Sequence, residues 1–556
     1  MNRSERRRLK KAARRERAGD AVFIGATLQQ ALGLLQSGQP RQALMLYRQV
    51  LAIRPDHTDA LNLSGIARFQ LGDVERAIKL TRKAVMSDPG HVDAHNNLGN
   101  LLKAAGRLDA AEAAYRRCLE IKPDYVGGHF NLGIVLEALH RPDEAEAAYR
   151  RALELEPDFA EAGLNRGNVL QAMGRLDDAV AAYRRALAAA PDHADGHNNH
   201  GSALRELGRL EEAAAAYRRA IEIEPRHVDA HYNLGIVLQE QDKLDQAIAA
   251  YRRALEINPA FAGACVNLGY ALQKSGRLDA AIEAYRRAVD IAPDYPGAHV
   301  NLGDALLERG DAAAAAAACA AYLDRHPGDA ALLAWRAILH HEMGEREAAR
   351  RLVDFDRFLR PVRLEAPAAF AGLDAFNAAL ARHVSRHPSL VTAPTRHATR
   401  FGKHSGELLT EPKGPVADLE EKIRGAVEDY MRSLPAGPAH PFVDSRPRRF
   451  GLNAWCVILK GQGHQVPHNH PSAWLSGVYY VRVPEIVGQP GHDHAGWIEF
   501  GRPPEHFHLN AEPEVRLIQP QPGLMLLFPS YFYHRTVPVE SREERISIAF
   551  DVLPEG

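Results

Sequence analysis

The stretch HVDAHYNLGIVLQEQDKLDQAIAAYRRALEINP, His227–Pro259, is one copy of a unit that recurs through the N-terminal part of the chain. Glycine, alanine and tyrosine recur with the step of this unit, as Gly235, Ala247 and Tyr251 do within it. A fixed period of this length is typical of repeat proteins whose units stack on one another. The prolines that close the units are 34 residues apart: Pro55, Pro89, Pro123, Pro157, Pro191, Pro225, Pro259, Pro293 and Pro327.

Each unit has the pattern of a helical hairpin. Two segments carry apolar residues at helical spacing, a turn containing Gly or Asp separates them, and a proline ends the second. Small residues at the Gly235 and Ala247 positions allow the two helices to approach closely, and Tyr251 fills the gap beside them. Because one hairpin cannot bury its apolar faces alone, the sequence predicts that adjacent units stack into an all-α solenoid.

These positions resemble the tetratricopeptide repeat, which has Gly, Ala, an aromatic residue, Ala and Pro at the same offsets. The resemblance covers residues 24–361, with nine units closed by a proline and a degenerate tenth in which Ala337 replaces the usual Gly. It implies a superhelical solenoid over this range. Residues 1–23 carry a run of Arg and Lys, and we expect them to form a flexible basic arm.

Asparagine recurs two residues before the repeat glycine in seven units. Since asparagine is a mediocre helix former, its recurrence needs a further explanation. One explanation is hydrogen bonding between adjacent repeats, and the other is a ladder of amides that grips the backbone of an extended peptide. The array resembles the asparagine ladder of protein O-linked N-acetylglucosamine transferase, and on that resemblance we favour a peptide groove formed by Asn97, Asn131, Asn165, Asn199, Asn233, Asn267 and Asn301.

Histidines precede several of these asparagines by two positions. Each is at least one full repeat away from the next, so we interpret them as packing and solvation residues rather than metal ligands. They are His95, His129, His197, His231 and His299.

The composition excludes several classes of partner and location. The chain has 69 Lys and Arg against 70 Asp and Glu, a net charge of −1, which disfavours a nucleic acid or an anionic membrane as partner. Its four cysteines show no CxxC spacing, which argues against a disulfide framework and a thiolate zinc site. The longest apolar stretch, residues 312–323, is far shorter than the roughly 20 residues of a membrane span. We therefore expect a cytoplasmic protein with no membrane span.

The repeat period ends near Val362, and residues 362–556 have the pattern of a second domain. Two helical stretches, at 366–387 and 414–434, are followed by segments rich in β-branched and aromatic residues. Six strands suggest an antiparallel sandwich or barrel, so the whole chain is predicted to be an α+β multidomain protein. The segments are RFGLNAWCVILK, WLSGVYYVRVP, GWIEFG, VRLIQP, GLMLLFP and RISIAFDV.

Histidine is concentrated in this second domain, in three HxH pairs. Residues i and i+2 of an extended segment point to the same side, so an HxH at a strand edge can offer two imidazoles to one ion. Only the first pair lies just before a strongly predicted strand, and we interpret the other two as exposed loop histidines. The pairs are His468/His470, His492/His494 and His506/His508.

The first pair, together with His534 after a later strand and Arg545 at the start of the last one, is similar to the iron(II)- and 2-oxoglutarate-dependent oxygenases. The likeness is strongest to a bacterial and phage subgroup with H-x-H-P…SGVYYV and PG…LFPS…H. It implies a double-stranded β-helix (jelly-roll) core with flanking helices, Fe(II) as cofactor and 2-oxoglutarate as co-substrate. His468 and His534 match two metal ligands of that family.

The resemblance also implies a binding site for the co-substrate. Arg545 matches the arginine whose planar fork pairs with the distal carboxylate of 2-oxoglutarate, and Ser547 adds a hydroxyl donor. Tyr479 and Asn453, on neighbouring predicted strands, are candidates for further contacts. The alternative interpretation makes Tyr479 a core aromatic residue and Asn453 a polar strand residue.

The third metal ligand departs from the family pattern, because most members have Asp or Glu where this chain has His470. An imidazole in place of a carboxylate leaves one more positive charge at the metal, which weakens ion binding but strengthens attraction for a dianion. Three possibilities stay open: His470 is a ligand, water takes its place, or the site is inactive. Glu499 offers no replacement, since the family has no ligand in that strand.

Two other kinds of metal site have histidine ligands, the cupin site and the structural zinc site. A cupin has a glutamate three or four residues after HxH, where this chain has Trp474 or Leu475. A structural zinc site is also possible, although three histidines without cysteine more often leave an open position.

The leading hypothesis is a dioxygenase that hydroxylates a protein or peptide recruited by the solenoid. The alternative is a non-catalytic interaction scaffold with a degenerate metal-binding barrel.

Overall fold

The computed structural model describes residues 3–392, 398–410, 412–434, 440–492, 494–505 and 507–555, with side chains from residue 20 onward. The chain forms two compact units, Met1–Ile257 and Asn258–Gly556. Because the second unit begins at Asn258, the last helical hairpins belong to the same unit as the β-sheets.

The N-terminal unit is a series of helical hairpins, as the tetratricopeptide pattern predicts. In each hairpin a short turn joins two helices, and the proline after the second helix separates it from the next hairpin. The helices are α1 (Arg3–Gln36), α2 (Pro40–Ile53), α3 (Thr58–Gln70), α4 (Val74–Ser87), α5 (Val92–Ala104), α6 (Leu108–Ile121), α7 (Val126–Ala138), α8 (Pro142–Leu155), α9 (Ala160–Ala172), α10 (Leu176–Ala189), α11 (Ala194–Glu206), α12 (Leu210–Ile223), α13 (Val228–Glu240) and α14 (Leu244–Ile257).

Helix α1 begins at Arg3 and so includes most of the segment 1–23 that we expected to be a flexible arm. The flexibility of this segment stays a prediction. The segment RSERRRLKKAARRERA contains mainly Arg, Lys, Ala and Glu, which have high helix propensity, and it contains no proline or glycine. The helix of the first repeat can therefore extend towards the N-terminus.

The repeat glycine and tyrosine pack as the sequence predicts. A Cβ atom at Gly235 would lie 2.5 Å from Cε1 of Tyr251, so only glycine leaves room for the ring. Gly303 meets Trp335 instead, because Cys319 stands where the tyrosine would recur. The same contact with a tyrosine ring occurs at Gly99, Gly133, Gly167, Gly201 and Gly269.

The C-terminal unit continues with hairpins and then changes to β-structure. Its first helices are α15 (Ala262–Lys274), α16 (Leu278–Ile291), α17 (Pro296–Glu308), α18 (Ala312–Leu323), α19 (Ala330–Glu342) and α20 (Arg346–Leu352). Four further helices follow: α21 (Phe355–Phe358), α22 (Leu373–Val384), α23 (Val416–Ser433) and α24 (Pro441–Asp444). Helices α22 and α23 lie in the two stretches where the sequence predicts helices.

The described strands include all six that the sequence predicts and four others. Strand β1 spans the expected domain boundary at 361/362, because its residues pair with β8. The strands are β1 (Arg360–Arg363), β2 (Val391–Thr392), β3 (Thr399–His404), β4 (Arg449–Gln465), β5 (Leu475–Arg482), β6 (Ile498–Phe500), β7 (Arg516–Ile518), β8 (Leu524–Pro529), β9 (His534–Thr536) and β10 (Ser541–Glu555).

The strands form two antiparallel sheets. The larger has the order β1-β8-β5-β10-β4-β3-β2 and the smaller the order β7-β6-β9. Strand β10 lies between β5 and β4, so residues on it have neighbours on both sides. A bridge between His468 and His534 adds a further backbone link.

Two observations relate to the expected absence of a membrane span and of disulfides. No helix among the described residues is both long and apolar enough to cross a membrane. All four cysteines are buried and free.

Candidate metal centre

Three histidines come together in the C-terminal unit, and we call them the histidine cluster: His468, His470 and His534. Their potential ligand atoms all lie within 4.8 Å of one another. Backbone bonds fix two of them, because the N–H of His468 donates to His534 O at 3.1 Å and the N–H of His534 donates back at 2.9 Å. The N–H of His470 donates to Ser530 O at 2.9 Å. Backbone hydrogen bonds therefore fix the main chain at all three histidines.

Each imidazole of the histidine cluster is oriented through its Nδ1 atom. Nδ1 of His468 donates to Val466 O at 2.8 Å, and Nδ1 of His534 donates to Phe532 O at 3.0 Å. A carbonyl oxygen only accepts hydrogen bonds, so the proton lies on Nδ1 and the lone pair on Nε2. Such an orienting bond on the second ring nitrogen is typical of metal-ligating histidines.

Burial keeps two of the rings neutral. Burial, with the neighbouring histidines adding to it, lowers the pKa of His534 well below its usual value. Burial, followed by the effect of His470, lowers the pKa of His468 to about 4. Both imidazoles therefore lack the extra proton at neutral pH, and the neutral form is the one that binds metal ions.

Arg545 is a buried cation with few partners. The residue is 3% exposed, its Nη1 donates to Gly496 O at 2.7 Å, and its guanidinium carbon lies 5.1 Å from the ring centre of Tyr480. Its Nε is buried and has no hydrogen-bond partner among the described residues, and no described carboxylate forms an ion pair with it. Burial lowers its pKa from the usual value. A buried charge without a counter-ion is unfavourable, so this position suits an anionic ligand.

The register of β10 relates Arg545 to the histidine cluster. Alternate residues of a strand point to the same face, so Arg545, Ser547 and Asp551 share one face of β10. Asp551 reaches the histidine cluster, because its Oδ1 lies 2.8 Å from Nδ1 of His470. The face that carries the candidate anion site is thus also the face of the metal-ligand candidates.

The two residues suggested as further co-substrate contacts differ in orientation. The hydroxyl of Tyr479 donates to Asn377 Oδ1 at 2.7 Å, towards helix α22, whereas Tyr480 lies against Arg545. Successive side chains of a strand point to opposite faces, so the suggestion of Tyr479 is corrected to Tyr480. Asn453 pairs directly with Asp551 and so lies on the face of the histidine cluster.

Three residues of the site were not identified from the sequence. Asp551 bonds to His470, Ser476 donates from Oγ to Asp551 Oδ1 at 2.6 Å, and the ring of Trp455 stacks on His470 with 5.5 Å between centroids. The alternation from Arg545 through Ser547 to Asp551 was visible in RISIAFDV. It places Asp551 on the correct face but does not indicate which side chain it meets.

Other polar residues of this domain lie outside the cluster. Glu499 is buried and bonds to Arg502 and Arg535, which excludes it as a replacement ligand in this conformation. His492 and His494 are exposed, as expected for loop histidines. His506 lies outside the described residues, and His508 is exposed but bonds to Asp304.

Hydrogen bonding between adjacent repeats, the first of the two roles suggested for the repeat asparagines, occurs for at least four of them. Four of them donate from Nδ2 to the preceding repeat: Asn97 to Asn62, Asn131 to Asn96, Asn199 to Asn168 and Asn233 to Asn198. All seven are half-buried. The repeat histidines bond through Nε2 to proline carbonyls, as the packing interpretation predicts, at His95, His129, His197, His231 and His299.

Family models match two different parts of the chain. Residues 453–551 match the family model described as "Putative 2OG-Fe(II) oxygenase". Tetratricopeptide-repeat models match 34–89, 92–125, 130–194, 201–242, 228–261 and 266–330. The chain carries tetratricopeptide repeats and a C-terminal domain that matches the 2OG-Fe(II) oxygenase model.

Several solved structures are similar to part of the chain. YrrB, "a TPR protein with an unusual peptide-binding site", is 26% identical over 34% of this chain and 96% of its own, with a TM-score of 0.31. MamA is 24% identical over 29% of this chain and 94% of its own, with a TM-score of 0.28. PilF of Pseudomonas aeruginosa is 21% identical over 38% of this chain and 96% of its own, with a TM-score of 0.35. No curated protein matches the chain.

Proposed function

We propose that the C-terminal domain is an Fe(II)- and 2-oxoglutarate-dependent dioxygenase that hydroxylates a protein or peptide recruited by the repeats. The proposal rests on one arrangement: three oriented imidazoles converge on one point, and a buried arginine without a counter-ion lies on the strand that also contacts the cluster. A double-stranded β-helix built from the two antiparallel sheets is part of the same proposal.

The donor set fits a catalytic metal ion. Three nitrogen donors from His468, His470 and His534 leave further coordination positions open, as an oxygenase iron requires. Bound Fe(II) supplies activation of dioxygen, coupled to conversion of 2-oxoglutarate to succinate and CO2. The protein orients the ligands through their Nδ1 bonds and, by burial, keeps the rings of His468 and His534 unprotonated.

The anion site fits the distal carboxylate of 2-oxoglutarate. The fork of Arg545 offers parallel N–H donors to a carboxylate, and the hydroxyl of Ser547 lies two residues further on the same face. The ring of Tyr480 covers the guanidinium and excludes water from it. Pairing with this carboxylate would satisfy the charge that is buried without a partner.

The repeats would supply the surface for the protein substrate. Although Nδ2 of Asn97, Asn131 and Asn233 is used between repeats, a carbonyl oxygen has two lone pairs and can accept from a peptide N–H. Solenoids present long surfaces that suit an extended chain.

The four buried, free cysteines fit a reducing, cytoplasmic location.

Turnover of 2-oxoglutarate tests the proposal. We expect the full-length protein with Fe(II), O2 and 2-oxoglutarate to form succinate, measured by mass spectrometry, and His534→Ala to reduce this at least about 100-fold, since one metal ligand is lost. The scaffold alternative would be supported if the wild type binds iron but forms no succinate, either by itself or in the presence of a peptide library.

A second variant separates the co-substrate site from the metal. In Arg545→Met we expect the KM for 2-oxoglutarate to rise about 100-fold, because a charge-assisted pair is lost, while the iron content stays that of the wild type. Arg542→Met is the matched control, an exposed arginine on the same strand, and its KM should not change. An unchanged KM in Arg545→Met would contradict the assignment.

A further inference from the structure

We propose that Asp551 is a positioning residue of the metal centre. Its carboxylate holds His470 in place and supplies, through the imidazole, the negative charge that most of the family carries in its third ligand. This inference rests on the proposed function, since it assigns a role to a residue beside the same site.

The contacts of Asp551 place its carboxylate firmly. Its Oδ1 accepts from Nδ1 of His470 at 2.8 Å and from Oγ of Ser476 at 2.6 Å. Its own strand, β10, is paired on both sides at this point, with Asn453 of β4 and Ser476 of β5. The residue is 7% exposed. A short hydrogen bond from a hydroxyl and a doubly paired backbone leave the carboxylate little freedom.

His470, by contrast, lies in a segment that is not part of a strand. Its backbone N–H bonds to Ser530 O at 2.9 Å, and the ring of Trp455 stacks on one side of its imidazole at an angle of 25°. These two contacts constrain the plane of the ring but leave its orientation within that plane, a flip about χ2, open. The bond to Asp551 fixes it, and therefore fixes Nε2 as the atom that faces His468 and His534.

The charge of Asp551 compensates for the departure from the family pattern. Three imidazoles add no negative charge to a divalent ion, whereas two imidazoles and a carboxylate add one. Asp551 is not itself among the described residues whose ligand atoms converge. A carboxylate that accepts from a ligand imidazole makes that imidazole a stronger donor, and loss of such a partner weakens metal binding about 10- to 100-fold.

Cobalt(II) binding tests this role without any turnover. We expect Asp551→Asn, which keeps the shape but removes the charge, to weaken Co(II) binding by the full-length protein about 10-fold, followed by its visible absorption. Asp551→Ala, which also removes the orienting bond, should weaken it about 100-fold. Asp356→Asn, an exposed carboxylate paired with Arg516, is the matched control and should bind as the wild type does. Affinities within about twofold of the wild type in both Asp551 variants would overturn the inference.

A double-mutant cycle with His470 excludes an indirect effect through the fold. If Asp551 acts through His470, then Asp551→Asn should have no further effect on Co(II) affinity in a His470→Ala background. An equal effect in both backgrounds would overturn the inference. If Co(II) binding is lost in His534→Ala but unchanged in both Asp551 variants, only the role of Asp551 is contradicted. If the wild type does not bind Co(II) at all, the proposed function itself is contradicted.

Discussion

At the scale of single residues, the alternation of side chains along a β-strand gives adjacent residues different contacts. Tyr480 lies against Arg545, while Tyr479 bonds to Asn377 on the opposite face of β5. The sequence predicts this strand, but it cannot indicate which tyrosine faces the site, because nearly all side chains of β5 are buried. In a strand with one exposed face, polar residues at alternate positions would have shown which side chains point outward.

His200 shows the effect of a polar residue at a repeat position that is Leu in five other units. It stands directly before the repeat glycine Gly201, where other units have Leu98, Leu132 and Leu234. Its Nε2 is buried and has no hydrogen-bond partner among the described residues. Burial, followed by the nearby Arg184, lowers the pKa of His200 to about 4.

We therefore expect His200→Leu to stabilise the repeats by about 1 kcal/mol at pH 7.5, since an unsatisfied buried nitrogen is removed. The pKa of His200 is lower in the folded than in the unfolded chain, so the unfolded chain binds an extra proton between about pH 6.5 and 4. The wild type should lose stability as the pH falls through this window, and the difference in Tm between the variant and the wild type should grow from pH 7.5 to pH 5.

Thermal unfolding followed by circular dichroism at both pH values measures this difference. His492→Gln, at an exposed histidine, is the control and should leave the pH dependence of the wild type unchanged. A difference in Tm that is the same at both pH values would contradict the assigned cause.

At the scale of elements, the hairpins were predictable because each packs mainly on its neighbours in the sequence. The period places the glycine, the tyrosine and the closing proline at fixed distances, and these residues decide the local packing. Strand β9, His534–Thr536, is not among the strands that the sequence predicts. It forms through pairing with β6.

Glycine-to-alanine substitutions at two helical positions should have opposite effects. Gly235→Ala places a Cβ 2.5 Å from the buried ring of Tyr251, so we expect it to destabilise the protein by about 2 kcal/mol. Gly425→Ala on the exposed side of α23 meets nothing within 4 Å and should stabilise it by up to about 1 kcal/mol, because alanine has the higher helix propensity.

Urea unfolding of both variants beside the wild type compares these free energies. A stabilising Gly235→Ala would show that the close approach of helix α13 to Tyr251 is not required.

At the scale of the whole C-terminal unit, the β6–β7 connection is held by the last hairpins. The N–H of His508 donates to Asp304 Oδ1 at 3.1 Å, and the ring of Phe507 lies 4.8 Å from that of Trp335. Glu342 accepts from the backbone of Asn510 and Ala511. A cavity of about 360 Å³ lies beside these contacts, between α19–α20 and the connection. The carboxylates thus bind backbone N–H groups of an extended segment.

Removal of one of these carboxylates should release the connection. In Glu342→Ala we expect amide exchange at Asn510 and Ala511 to increase at least about tenfold, because hydrogen bonds to a charged acceptor are lost. Hydrogen–deuterium exchange with mass spectrometry measures this. Glu347→Ala, an exposed glutamate on the same hairpin, is the control. Unchanged exchange in Glu342→Ala would show that other contacts suffice to hold the segment.

The sequence by itself determined the repeats, six of the β-strands and the three histidines of the candidate site. Each of these depends on local patterns: a period, an alternation, or a motif matched residue by residue. The tertiary structure alone decided that Asp551, 81 residues from His470 along the chain, contacts it. That contact depends on the pairing of β10 with β4 and β5, and strand pairing between distant segments leaves no periodic signal in one sequence.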